Sequence, residues 1–173
     1  MASNTKNLIA DSFFKLIKSE EFDKITVTDL VEDCDISRQT FYYHFDDISK
    51  MIEWIFERDS SLACSRAEEC SNWNDAVKEY SAFIDNYRTL FIKAICSKQF
   101  LPIYNLLHRS ISKFIVSFSA NRIKLNSTMS NNFEFIVDMC ANAISGHIIQ
   151  NISKDDYSNN EIISNIHNIL KNQ

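Results

Sequence analysis

TVTDLVEDCDISRQTFYYHF, residues 26–45, is the stretch whose reading decides how this chain folds. Thr26 stands three residues ahead of Asp29, a spacing that lets side chain and backbone cap each other at a helix start. Leu30 and Val31 give the short helix that follows an inward face. Cys34 and Asp35 bring that helix to its end. Asp35-Ile36-Ser37 reads as a turn, because Asp enters left-handed geometry more readily than most residues other than glycine. Ser37 then caps a second short helix, Arg38–His44, with Phe41 and Phe45 four apart on its inward face. Helix, three-residue turn and helix, braced by a longer helix before them, have the spacing of a helix-turn-helix.

Residues 4–20 supply that brace, with Leu8, Ile9, Ser12, Phe13, Leu16 and Ile17 at helical intervals. Phe22 and Ile25 bridge to Thr26. Downstream, a long helix opens near Ile48 and carries Met51, Ile52, Ile55, Phe56 and Leu62 on its apolar stripe. The polar stretch 64–74 is expected to end it and to separate two regions. Trp73 opens the next part, where Val77, Tyr80, Phe83, Ile84, Tyr87, Leu90, Phe91 and Ile95 fill two helices broken near 86–88. Pro102 suits the first turn of another helix, where a missing N–H costs nothing. Ile103, Leu106, Leu107, Ser110, Phe114 and Phe118 continue that helix. Loops are expected over 121–132 and 155–160, an apolar helix over 133–151, and a last helix over 161–170. The fold expected is all-α, about nine helices: a three-helix helix-turn-helix DNA-binding domain over 1–50, then a helical ligand-binding and dimerisation bundle over 51–173.

Composition agrees. One Gly and one Pro stand among 173 residues, where average usage would give roughly a dozen Gly and about nine Pro. Phosphate-cradling loops and dinucleotide fingerprints need several Gly at fixed spacing, so a P-loop ATPase, a Rossmann enzyme and a Gly-dense β-barrel are set aside. Hydrophobic residues make up 45% and include thirteen Phe, enough to bury a core. No apolar run is long enough to span a membrane and no signal-peptide pattern opens the chain, so a cytoplasmic protein is expected. The five cysteines, Cys34, Cys64, Cys70, Cys96 and Cys140, form no Cys-x-x-Cys pair, and reduced thiols without a metal are expected. No nucleophile–base grouping is visible, so neither an enzyme nor a cofactor is expected.

The string ending Thr40-Phe41-Tyr42-Tyr43-His44-Phe45 resembles the DNA-binding segment of TetR/AcrR-family transcriptional regulators, and the likeness extends over about residues 4–60. Trp73 opening a helix, and a late small-residue helix around 143–146, are similar to the Firmicutes-type C-terminal domain of that family. Two positions depart from the pattern. Asp35 stands where the family has Gly, and Ile48 where it has a phosphate-contacting Lys, with Lys50 two residues on. The resemblance implies that Arg38–His44 enters the major groove, with Gln39 and Thr40 near bases and Tyr42, Tyr43 and His44 near the backbone. Chemistry fits these roles. Arg38 can read guanine, Gln39 adenine, and the Thr40 methyl thymine. Hydroxyls of Thr28, Thr40, Tyr42 and Tyr43 can donate to phosphates, with Ser37 and Lys50 beside them.

Charge pulls the other way. The net charge is −5, and the first fifty residues hold six Lys or Arg against ten Asp or Glu. Binding to double-stranded DNA would therefore lean on hydroxyls and dimer symmetry, with a shallow salt dependence.

In the 133–151 helix, Ile136, Cys140, Ile144 and Ile148 are expected on one stripe, with Gly146 allowing close approach of another helix. With His147, Ile162 and Ile166 they are expected to form a four-helix homodimer interface, as the family's dimers do. Phe83, Tyr87, Phe91, Tyr104 and His108 are candidates for an effector pocket. The function expected is a sequence-specific DNA-binding regulator on a pseudo-palindromic operator, a repressor relieved by a small effector. The alternative is an adaptor whose C-terminal helices hold a partner protein, as co-activators of dihydroxyacetone-kinase operons do.

Overall fold

The computed structural model describes residues 2–120 and 127–154, with side chains over 4–119 and 132–154. Within these residues the protein is all helical. Helix α1 is Ala2–Ser19, and a 3-10 turn at Phe22–Lys24 leads to α2, Val27–Asp33. Next come α3 (Arg38–His44), α4 (Ile48–Glu69), α5 (Trp73–Asn86) and α6 (Arg88–Ile95). Helices α7 (Phe100–Ala120) and α8 (Ser127–Asn151) follow. The ninth helix expected over 161–170 lies outside the described residues.

Two of the expected boundaries move, and one expected facing changes. Helix α4 does not stop at the polar stretch; it runs through it to Glu69. The inward row over its second half is Phe56, Ser60, Ala63 and Ala67, flanked by Cys64, all buried. These small residues carry little hydropathy, so the sequence shows no stripe there. Leu62, expected on the stripe, is 54% exposed. It sits one residue off that row, about 100° round the helix. Helix α8 begins at Ser127, inside the stretch expected to be a loop. Extending an existing helix adds a hydrogen bond per residue and is much cheaper than nucleating one, so weak helix formers are recruited at its start.

Other local expectations hold. Asn72 caps α5 by accepting from Asp75 N at 3.0 Å, placing Trp73 first in the helix. Tyr87 forms the break between α5 and α6, and Pro102 lies in the first turn of α7.

Helix α4 is the spine. It packs on α5 and α7 and touches α1, while α8 lies along α7 and contacts α6. One apolar cluster runs from Ile9 to Ile152 across all these elements. At its centre the Phe56 ring lies 4.8 Å from Tyr87 and 5.1 Å from Phe83, edge-on to both. Tyr80 stacks on Phe114 at 4.3 Å and its hydroxyl shares a hydrogen bond with Ser110. Complete burial holds the Tyr80 phenol well above the usual tyrosine range. Burying each Phe of this kind contributes about 1.5–3 kcal/mol.

Candidate nucleic-acid interface

The N-terminal head, α1 to α3 with the start of α4, is built by local hydrogen bonds. Thr26 N donates to Asp29 Oδ2 at 2.8 Å, and Asp29 N donates back to Thr26 Oγ1 at 3.3 Å. The Thr26 side-chain and backbone donors hold the Asp29 carboxyl below the usual carboxylate range. At the far end of α2, Ile36 N donates to Val31 O at 3.0 Å and Asp35 N to Glu32 O at 3.3 Å. This nested pair is a Schellman closure, which needs a left-handed residue just past the helix. Asp35 is that residue, at φ 51°. Its turn is thus made without glycine. Ser37 Oγ then accepts from Thr40 N at 3.0 Å and starts α3.

Phe41 is fully buried and Phe45 nearly so, which pins the inward side of α3. Outward stand Gln39, Tyr42 and Tyr43, the two tyrosines 56% and 81% exposed. The Tyr42 ring meets the Phe41 ring edge-on at 5.5 Å, and Tyr43 lies 5.0 Å from His44, which is half-buried. Two candidate contacts are tied within the head. The Thr40 hydroxyl is 2.9 Å from Ser37 Oγ, and the Arg38 guanidinium donates to the Thr28 hydroxyl. Both Thr28 and Arg38 are therefore oriented before any ligand arrives.

Three of the six cations in residues 1–50 are neutralised by ion pairs. Lys15 pairs with Asp33, Lys24 with Glu21 at 3.1 Å, and Lys50 with Glu53 at 2.8 Å. Glu53 also takes Arg109 of α7 at 3.0 Å, so one carboxylate serves both cations and its pKa is lowered, first by Lys50 and then by Arg109. Sequence reasoning missed Lys6. Its ammonium lies over the rings of Phe45 and Trp54, at 5.1 and 5.0 Å, beside the end of α3. The three residues are far apart in the chain, and no local pattern joins them.

The remaining candidates divide. Phe83, Tyr87 and Phe91 gather round Phe56, and the first two also line an open cleft between α1, α4 and α5. Tyr104 lies elsewhere, against Phe100, and His108 Nε2 lies 3.3 Å from Asp138 Oδ1 of α8 without a well-directed hydrogen bond. The five do not form one pocket.

On α8, Ile144 and Ile148 do not face outward. They are buried in a row with Val137, Ala141 and Ile152 on the helix that lies along α7. The stripe drawn through Ile136 and Cys140 is turned from the true one by a residue, because apolar residues stand on more than one side of this helix and more than one row fits. The outward face carries Phe135 at 68% exposure, Met139 at 54% and Ile136 at 36%, with Cys140 half-buried and His147 exposed. A Cβ built on Gly146 would meet nothing within 4 Å. Packing among the described residues therefore does not explain that glycine. Ile162 and Ile166 lie outside the described residues.

All five cysteines are free thiols, and among the described residues no cluster of His, Cys, Asp or Glu could hold a metal. No described helix is long and apolar enough to cross a membrane.

No known family model matches the chain. It is 27% identical over 89 residues to the HTH-type dhaKLM operon transcriptional activator DhaS of Lactococcus lactis subsp. lactis (strain IL1403). That match spans 51% of this chain and 48% of the relative, about half of each. Among solved structures, the fold is similar to the Dihydroxyacetone kinase operon activator DhaS, with a TM-score of 0.70. The likeness covers 98% of this chain and 95% of the other at 24% identity, so it speaks for the fold.

Proposed function

We propose that the chain is a sequence-specific DNA-binding transcription regulator of TetR type that acts as a homodimer. The observation that carries this reading is α3. A seven-residue helix fixed by caps at both flanks presents Gln39, Tyr42 and Tyr43 outward, and two neighbouring exposed tyrosines suit phosphate and groove contacts better than open water. Two copies of α3 would enter successive major grooves of a pseudo-palindromic site, about one helical turn apart. The outward apolar face of α8, with Phe135, Ile136 and Met139, supports the dimer.

The relative and the similar solved structure are both activators by name. Whether this chain activates or represses follows from where its site lies relative to a promoter. A second reading, an adaptor whose C-terminal helices hold a partner protein, is favoured by the scarcity of free cations on the head. An electrophoretic shift of the chain's own upstream DNA separates the two. Binding by the protein alone supports the regulator; binding only with a partner supports the adaptor. Loss of the shift in Tyr42→Ala, with the dimer intact, supports the docking, and an unchanged shift contradicts it.

A further inference from the structure

We infer that the cleft between α1, α4 and α5 is a binding site for a small amphiphilic monoanion, a carboxylate or sulfonate on an apolar or aromatic body. The cleft measures about 410 Å³, within the range of small-molecule sites, which are mainly apolar with a few placed polar groups. Phe14 comes from α1, Ala63 from α4, Ala82 and Phe83 from α5, and Tyr87 from the break after it. Leu62, exposed although apolar, also lines it.

Its charged groups select the ligand. Asp59 is already engaged: it accepts from Arg58 Nε at 2.6 Å and from the Tyr87 hydroxyl at 2.8 Å. Lys18, Arg66 and Glu79 line the same space and form no ion pair among the described residues. Two unpaired cations against one unpaired carboxylate leave room for one negative charge. Glu79 repels a second. An apolar body would cover the Phe14, Phe83 and Tyr87 rings while its anionic group meets Lys18 and Arg66.

The walls belong to different parts of the fold. Phe14 and Lys18 sit on α1, which braces the DNA-binding head, and the other lining residues sit on α4, α5 and Tyr87. The Phe14 and Tyr87 rings meet edge-on at 5.3 Å, and Arg58, which grips Asp59, also donates to Asn7 of α1 at 2.6 Å. A ligand wedged here would favour one setting of α1 against α4. This consequence rests on the DNA-binding reading; occupation of the cleft does not.

The test is a fluorescence titration of the full chain, without DNA, with 8-anilinonaphthalene-1-sulfonate, an aromatic monoanion. Saturable binding is expected. It should weaken about tenfold or more, a change of at least one decade in Kd, in the double variant Lys18→Gln/Arg66→Gln. It should weaken likewise in Ala82→Phe, which fills the space, and stay unchanged in Leu101→Ser, an exposed apolar position on α7. Affinity equal to wild type in both cleft variants, or a loss confined to Leu101→Ser, overturns the site. In a second titration the probe should shift the affinity of wild-type protein for its upstream DNA and leave Lys18→Gln/Arg66→Gln unmoved. An equal shift in both overturns the coupling. If no DNA is bound at all, the functional proposal fails while the first titration still decides the cleft.

Discussion

Helices α3 and α8 both turn large side chains to the outside, and the kind of side chain differs. On α3 the exposed groups are Gln39, Tyr42 and Tyr43, each with a polar end. On α8 they are Phe135, Ile136 and Met139, with none. An amphipathic ring can lie along a groove and still satisfy a phosphate oxygen. A bare apolar row gains only by meeting another apolar row. On the proposed reading, the contrast fits α3 to nucleic acid and α8 to a second copy of the chain.

The largest expected effect removes the support under α3. Phe41→Ala empties a fully buried site and should lower unfolding free energy by about 3–5 kcal/mol, read by urea denaturation. A loss under about 1 kcal/mol would mean that the head does not depend on that anchor. Next comes the contrast itself. Phe135→Asp/Met139→Asp should leave the helical circular-dichroism spectrum intact and give monomers in sedimentation, whereas Tyr42→Ala should stay dimeric and lose DNA. The reverse pattern would exchange the two assignments.

A smaller effect concerns the turn. Asp35 holds φ 51°, and a β-branched side chain there costs about 1–2 kcal/mol. Asp35→Val should destabilise by that amount, and Asp35→Gly should be neutral or stabilise by up to about 1 kcal/mol. Equal stability of the two variants would show that the closure tolerates either backbone. The smallest effect is electrostatic. Glu53→Gln releases Lys50 from its 2.8 Å pair and should tighten DNA binding a few fold, steepening the log–log salt slope by about one unit per head. An unchanged slope would show that Lys50 faces away from the backbone.

The two helices also differ in how far their sequence foretold them. The head was legible because its determinants are local. Thr26, Asp29, Asp35 and Ser37 each act within five residues, and the structure shows every one of those bonds. Helix α8 was legible as a helix and misread in its facing. Ile144 and Ile148 sit in an apolar stretch where hydrophobicity alone does not choose a row, and the choice is made by α7. The second half of α4 hid its inward face in Ser60, Ala63 and Ala67, residues too small to register as a stripe. Contacts between distant positions, Lys6 over Trp54 or Arg109 on Glu53, leave no sequence signal because their register is set only by the packed fold.

The central claim is that an acidic chain reads DNA mainly through hydroxyls and shape. Of the cations near α3, Lys6 and Arg38 form no ion pair among the described residues, while Lys15, Lys24 and Lys50 do, and Lys18, also unpaired, lines the cleft between α1, α4 and α5. Two such cations per head make four per dimer. Fluorescence anisotropy of the chain's own upstream DNA against salt measures the consequence. The account predicts saturable binding that a shuffled sequence does not match, with a log–log slope of about −4. A slope near about −8, or equal affinity for shuffled DNA, would contradict it.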